Sequence, residues 1–356
     1  MLKRRKKSPV SRIAIDPGAF RTRFYSATEG LLLDQPSIAA LDMDHQLGGS
    51  TSVSTFGDQA AAILMSRVDG YREVQPVQSD MRNDLGLRLK MLGHFLDQAR
   101  LTGLTGRAPE VSLLLPHHCD AKTSARLQQT CIAAGAAKVD VQNSALAAFN
   151  TTGLNQSESC VMIDFGATST RLIAIANGEV AYCQPLPFGG DAIDNAIITG
   201  MRERFGLQVT SESARHIKHS IAAATRQSFV QCTRNSCQVN CLSLKTNSLT
   251  EFRVRSETIS ELLQPVLDDL TNSIRLAFGA IDSKIKDAAY ETGIRLYGGG
   301  AMLSRIDQLV MSATDLPVVV VKRPLTWSAR GAASTMIDEQ SAVELIDPYD
   351  LAPSTI

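Results

Sequence analysis

An acid, a glycine and a set of hydroxyl and basic side chains recur at one spacing in two places along this 356-residue chain. Ile15-Asp16-Pro17-Gly18-Ala19-Phe20-Arg21-Thr22-Arg23 returns as Ile163-Asp164-Phe165-Gly166-Ala167-Thr168-Ser169-Thr170-Arg171, with six of the nine positions identical. Each copy follows an apolar run, Ile13-Ala14-Ile15 or Val161-Met162-Ile163, and leads into another. The pattern predicts strand, tight turn, strand. The glycine lets the turn bend and lets a ligand approach the backbone, and successive turn amides cup an anion. An Asp at the strand end holds a cation, directly or through its waters, against phosphate oxygens. Two such turns, one in each half of the chain, predict two related domains facing each other across a nucleotide.

Two further glycine elements support that chemistry. Ile294 to Tyr297 reads as a strand, Gly298-Gly299-Gly300 as a turn and Ala301 to Met311 as a helix, an arrangement that lets a ligand lie on the backbone at a helix start. Phe188-Gly189-Gly190-Asp191 opens a helix that runs from Ala192 to Phe205.

The elements that must position these turns are legible in order. Gly30 to Leu33 and Ser37 to Leu41 read as strands, Asp42 to Ser54 as a loop and Phe56 to Arg67 as a helix. Leu85 to Ala99 places Leu85, Leu89, Leu92, Phe95 and Leu96 three and four apart, an amphipathic helix. Val111 to Leu115, closed by Pro116, suits a buried parallel strand. A helix over Ala121 to Ala134, a strand at Val139 to Val141 and a helix from Ala145 complete an α/β domain. Polar Gly153 to Ser159 reads as the crossing between halves. Beyond it, a helix over Ser211 to Ala224 takes Ser211 as its cap, and Ser228 to Val254 suggests irregular strands. Ser256 to Ile281 predicts a long helix capped by Ser256 and kinked or split at Pro265. A strand at Val318 to Val321 and a helix near Ser328 to Ile337 close the chain.

Composition narrows the class. An apolar fraction of 44% and a charged fraction of 20% are those of an ordinary globular protein. Zero net charge gives nucleic acid no general attraction, so no nucleic-acid partner is expected. There is no signal peptide and no apolar run of membrane-spanning length, so the seven cysteines read as reduced thiols of a cytoplasmic protein. Cys232, Cys237 and Cys241 also allow a zinc reading, weakened by the absence of a CxxC pair. Met1 to Lys7 is either a solvated tail or a basic aid to membrane attachment, worth about 1 kcal/mol per basic residue near anionic headgroups.

Strand-Asp-x-Gly written twice, followed by strand-Gly-Gly-Gly-helix, resembles the actin, sugar kinase and heat-shock chaperone ATPase superfamily, and within it the bacterial actin family MreB. The likeness extends through Gly30 to Ala40, Phe188 to Ile197, Ala214-Arg215-His216-Ile217-Lys218-His219, and Tyr297 to Leu303 with Pro324 to Gly331. The resemblance implies an α/β, actin-like two-lobed ATPase fold, each lobe a mixed sheet with helices on its faces plus a smaller insertion. Lobe one would span 1–150 with its insertion near 33–75. Lobe two would span 151–338 with its insertion near 182–255, its last helix (about 328–338) packing back toward lobe one, before a tail over 339–356.

It also implies ATP and Mg²⁺ as cofactors. Asp16 and Asp164 would serve the metal. Gly18, Ala19, Phe20, Arg21, Thr22, Gly166, Ala167, Thr168, Gly190, Asp191, Arg215, His216, Ile217, Lys218, Gly298, Gly299, Gly300, Ala301 and Met302 would line the nucleotide. Implied partners are further copies of the chain in a filament, including an antiparallel double protofilament, other MreB-type filaments, cell-wall elongation proteins and an anionic membrane surface at the inner face of the cell membrane. Leu101 to Arg107 falls where the family carries an apolar membrane loop; an ordinary helix–strand loop is the other reading.

Several positions depart from the family pattern. Ala19-Phe20-Arg21 stands where MreB has Thr-Ala-Asn, leaving Arg21 as either a charged phosphate contact or a surface charge. Arg215 replaces a glutamate near the nucleoside. Gln142-Asn143-Ser144 replaces Glu-Glu-Pro, so no carboxylate remains there to take a proton from water; Gln142 is left to orient one. Slow hydrolysis follows. A non-hydrolysing scaffold of FtsA or PilM type is the alternative to a filament.

Overall fold

The computed structural model describes residues 11–43, 52–66, 70–77, 85–225 and 235–336. Met1 to Lys7, Cys232 and the tail 339–356 lie outside them. The described residues fall into two compact units, one formed by those up to Leu154 with those from Thr326 onward, the other by Asn155–Leu325.

The first unit contains β1 (Arg12–Pro17), β2 (Arg21–Ser26), β3 (Gly30–Pro36), β4 (Ala39–Asp42), β5 (Ser52–Phe56), α1 (Gly57–Met65), β6 (Tyr71–Val74), α2 (Leu85–Leu101), β7 (Glu110–Leu115), α3 (Ala121–Ala133), β8 (Lys138–Asn143) and α4 (Ser144–Asn150). Among the described residues its main sheet runs β3-β2-β1-β7-β8. The first three strands form an antiparallel meander, while β1, β7 and β8 are parallel. Parallel strands covered by helices are buried, which is why β7 is an unbroken run of buried residues from Val111 to Leu115. α2 lays Leu87, Met91, Leu92, Phe95, Leu96 and Ala99 into the core against that sheet. β4, β5 and β6 form a small separate sheet. The loop expected over Asp42 to Ser54 therefore ends sooner than its polarity suggested, because Ser52–Phe56 pairs with β4.

The second unit repeats the plan with β9 (Cys160–Phe165), β10 (Thr170–Ala176), β11 (Glu179–Leu186), α5 (Gly190–Phe205), β12 (Leu207–Gln208), α6 (Ser211–Ile221), β13 (Ser236–Ser243), β14 (Ser248–Arg255), α7 (Ser256–Gly279), α8 (Ser283–Thr292), β15 (Ile294–Tyr297), α9 (Ile306–Thr314) and β16 (Val318–Val320). Its main sheet runs β11-β10-β9-β15-β16 among the described residues, an antiparallel meander joined to parallel strands as in the first unit. β12, β13 and β14 make a small antiparallel sheet in which Cys237 and Cys241 face inward. Burial pushes both thiols above their ordinary range, as buried structural cysteines do.

Local chemistry revises several expectations. α7 runs unbroken through Pro265, whose ring lies on the exposed face of the helix. Its N-cap is Arg255, and Ser256 is buried in the first turn with its hydroxyl unbonded. The cap of α6 is Thr210, whose side chain accepts from the Ser213 amide. The helix expected over Ala301 to Met311 is a single 3₁₀ turn (Gly299–Met302) followed by α9. The break falls where the Ser304 carbonyl accepts from the Ala224 amide and Arg305 turns left-handed with φ 62°.

The closing helix, α10 (Trp327–Ser334), belongs to the first unit, where Ala329, Ala332 and Ala333 meet Ala14, Tyr25 and Ala147. Gly331 is required there, since a Cβ would lie 1.7 Å from the Ala147 carbonyl of α4.

Candidate functional site

The duplicated turn has one geometry and one reason for its glycine. Neither Gly18 nor Gly166 has a positive φ, so backbone freedom does not select it. A Cβ on Gly18 would lie 2.7 Å from the Arg21 carbonyl, and a Cβ on Gly166 equally 2.7 Å from that of Ser169. Each turn closes so tightly that only glycine fits under the returning strand. In the second turn the Gly166 amide donates to the Ser169 carbonyl at 3.0 Å. The cross-strand register also repeats, pairing Asp16 with Arg23 and Asp164 with Arg171.

In the second unit the turn is the centre of a backbone assembly. Gly190 and Asp191, at the start of α5, donate their amides to the carbonyls of Gly166 and Ala167 at 3.1 and 2.9 Å. A Cβ on Gly189 would strike the Ala167 carbonyl at 2.3 Å. Gly298 follows β15, the strand beside β9, and adopts φ 86°, ψ 172°, a region that side chains disfavour. Its missing side chain makes room for the Phe165 carbonyl and Asp164 Oδ1, which a Cβ would approach to 2.4 and 2.9 Å. A Cβ on Gly300 would meet Phe165 at 2.8 Å. Phe165 fills the core beneath, edge-on to Phe188. Ala167, Thr168, Gly299 and Met302 remain partly or fully open to solvent, while Ala301 is buried.

Side chains around this cradle are paired. Asp164 Oδ2 accepts from the Arg171 guanidinium at 3.2 Å, yet burial still holds its carboxyl above the ordinary range. Asp194, 5% exposed, stands on α5 between Lys218 Nζ at 2.8 Å and Arg215 Nε at 3.6 Å. Lys218 also donates to the Gly190 carbonyl at 3.1 Å, tying α6 to the start of α5. Burial, reinforced by Asp194, raises the Asp191 carboxyl. Of the α6 residues expected at the site, Arg215 and Lys218 share the face toward α5. Ile217 is spent on the core, fully buried, and His216 is exposed. The amides of Gly190 and Asp191 are used within the protein, as is the Gly190 carbonyl.

The first unit's turn is held differently. Ser37 Oγ donates to the Gly18 carbonyl at 2.7 Å and lies 3.0 Å from the buried Thr22 hydroxyl, and its amide donates to the Phe20 carbonyl. Arg21 reaches sideways to Asp34, donating Nε to Oδ1 at 2.6 Å and a second nitrogen to the Asp34 carbonyl at 2.7 Å. Arg23 approaches the same carboxylate at 3.3 Å. Arg21 is thus a strand-to-strand tie in this structure.

Gln142 lies at the end of β8, where its amide nitrogen donates to Thr335 Oγ1 at 2.9 Å. Asn143 caps α4 through Oδ1 on the Ala145 amide at 2.9 Å, and its Nδ2 lies 2.9 Å from His117 Nδ1. Sequence reasoning passed over Ser37, Asp194 and His117. The i, i+3 spacing of Asp191 and Asp194 and the two histidines directly after the Val111 to Leu115 strand were the available signals.

ATP and magnesium fit these residues. In each unit the glycine-lined turn has the closeness that phosphates exploit, and each strand-end carboxylate, Asp16 in the first unit and Asp164 in the second, is of the type that suits a cation that keeps its waters. No cluster of three or more His, Cys, Asp or Glu able to cage a metal occurs among the described residues.

Comparison with known proteins gives one family. Its MreB/Mbl protein model matches residues 10–344. The cell shape-determining protein MreB of Escherichia coli (strain K12) is 28% identical over 351 residues, covering 98% of each chain. The cell shape-determining protein Mbl of Bacillus subtilis is 20% identical over 328 residues, 92% of this chain and 95% of that one. MreB5 of Spiroplasma citri bound to ADP superposes with a TM-score of 0.80 at 18% identity, over 95% of this chain and 98% of that one. The MamK double helical filament superposes with a TM-score of 0.70 at 18% identity, over 91% and 98%. The fold is the actin-like ATPase fold.

Proposed function

The chain belongs to the MreB/Mbl family, and from that premise we propose that it binds ATP with magnesium through its two Asp-x-Gly turns and assembles into membrane-associated filaments that organise cell shape and cell wall. The observation that carries the nucleotide reading is the glycine cradle around Asp164. Gly166, Gly189, Gly298 and Gly300 each occupy a place where a Cβ would collide with the backbone or a core side chain. MreB5 of Spiroplasma citri crystallised with ADP and with AMPPNP supports it from outside. The MamK filament and the cell shape-determining relatives support assembly.

Bound ATP supplies the phosphoanhydride, and magnesium neutralises its phosphate charge. The chain's own residues bind and orient. The turns around Gly18 and Gly166 would present backbone to phosphate, Asp16 and Asp164 are the carboxylates that would serve the cation, and Gly298 to Met302 would offer backbone to the rest of the nucleotide. The Gly190 and Asp191 amides fix the start of α5 on the second turn, and Lys218 and Arg215, paired with Asp194, tie α6 to α5. Hydrolysis is slow, because Gln142 and Asn143 provide no carboxylate to take a proton from water. The same observation favours the second reading, a static ATP-bound scaffold.

No helix among the described residues is long and apolar enough to cross a membrane. Attachment to the inner face of the cell membrane would instead use the segment after α2, where Leu101 and Leu104 are 88% and 41% exposed. Arg100 steadies that segment by donating to the Arg107 and Ala134 carbonyls.

Calorimetric titration with ATP and magnesium tests the site. Wild type should bind, and D16A and D164A should each bind more weakly; unchanged affinity in both would remove the assignment. Electron microscopy with ATP distinguishes filament from scaffold.

A further inference from the structure

We propose that His117 donates a hydrogen bond to the phosphates of the bound nucleotide, held for that task by Asn143 as the neutral tautomer with its proton on Nε2. This rests on the nucleotide reading above and deepens it. The tautomer follows from hydrogen-bond bookkeeping. Asn143 Oδ1 accepts from the Ala145 amide as the cap of α4, so the atom turned toward His117 is the amide nitrogen. That nitrogen only donates, and it lies 2.9 Å from His117 Nδ1, which must therefore accept. A neutral imidazole that accepts at Nδ1 carries its proton at Nε2. His117 has no lone pair left at Nε2 to take a proton from water. It is a donor.

Its place in the sheet supplies the acceptor. β1, β7 and β8 run parallel in register, so Pro17, Leu115 and Asn143 end on one edge with about 5 Å between neighbouring strands. Ligands of open α/β sheets bind at this carboxyl edge. His117 lies two residues beyond the end of β7, one strand from the turn that carries Asp16 and Gly18, and is exposed. The first turn is itself short of side-chain donors. Ala19 and Phe20 have none, the Thr22 hydroxyl lies against Ser37, and Arg21 is taken by Asp34. A phosphate there meets backbone amides, and the donor standing at the same edge is the ring fixed by Asn143.

The test uses the full chain, magnesium and a non-hydrolysable ATP analogue. Imidazole nitrogen shifts should report the Nε2–H tautomer in the free protein and a change at Nε2 on adding the analogue. H117N keeps an amide near the Nδ1 position but has no donor at Nε2, and should weaken affinity about tenfold to a hundredfold, the effect of losing a hydrogen bond to a charged acceptor. H117Q places an amide near the Nε2 position and should restore most of it. N143D still caps α4, but its second carboxylate oxygen demands a proton on Nδ1, so the nitrogen shifts should lose the wild-type pattern of an unprotonated Nδ1 while α4 stays folded. Equal affinity of H117N and a wild type that binds overturns the proposal alone, as does an Nδ1–H tautomer in the wild type. A wild type that binds no ATP overturns the nucleotide reading and this contact with it.

Discussion

Replacing Gln142 by Glu is the change that bears most directly on whether this chain turns ATP over. Gln142 Nε2 donates to Thr335 Oγ1 at 2.9 Å, and that hydroxyl spends its one hydrogen on the Ala332 carbonyl at 2.8 Å. A carboxylate at position 142 would face only oxygen lone pairs. The tie between β8 and the residue after α10 is then lost, at a cost of about 1 kcal/mol for one neutral hydrogen bond. The freed carboxylate can take a proton from water, a role that contributes about 10²–10⁴ in rate. Single-turnover phosphate release from magnesium ATP should therefore rise by about that factor in Q142E, with a slightly lower denaturant midpoint. T335V breaks the same bond without adding a carboxylate, so it should share the stability loss and leave the rate at the wild-type level. Wild-type release as fast as that of Q142E would refute the reasoning, because another group would then be activating the water. A Q142E chain that binds ATP and gains nothing would refute it too, placing the defect elsewhere in the first turn.

G298A should destabilise the second unit by about 3 kcal/mol or more, combining a backbone region that only glycine tolerates with a Cβ 2.4 Å from the Phe165 carbonyl; a denaturant midpoint within error of wild type would contradict it. Burial holds the Asp164 carboxyl above its ordinary range, with Arg171 opposing the shift. Its cation-binding form is therefore lost on acidification at a higher pH than for a free carboxylate, about 3.9. Magnesium-dependent ATP affinity should fall across that window, and D164N should abolish this part of the pH dependence. By the same sign, the folded state's advantage from this group is present below the free-carboxylate pKa and lost as pH rises through the raised value. Removing Lys3 to Lys7 and changing Leu101 and Leu104 to Ser should reduce co-sedimentation with anionic liposomes; identical pelleting would dismiss the anchor.

Much of this protein was readable from the sequence because its information is local and periodic. The nine-residue frame written twice specified strand, turn and strand in both units, and the spacing of Leu92, Phe95 and Leu96 specified the amphipathic α2. The buried run from Val111 to Leu115 likewise announced a parallel strand. What sequence left open depends on partners distant along the chain. Arg21 gives its guanidinium to Asp34 across the hairpin, a pairing that local pattern does not announce. Gln142 has a partner, Thr335, that lies nearly two hundred residues away and that no local pattern announces. Gly18 and Gly166 were expected to let the turns bend, yet neither has a positive φ, and the constraint is the carbonyl returning above them. The helix expected from Ala301 broke because Ala224, nearly eighty residues earlier, claims the Ser304 carbonyl. His117 gained a defined protonation state only when β7 and β8 paired and brought Asn143 beside it. Periodicity and turn chemistry are properties of neighbouring residues, so sequence determines them. Whether a polar side chain is free to meet a ligand depends on which hydrogen bonds it has already made, and only the tertiary structure decides that.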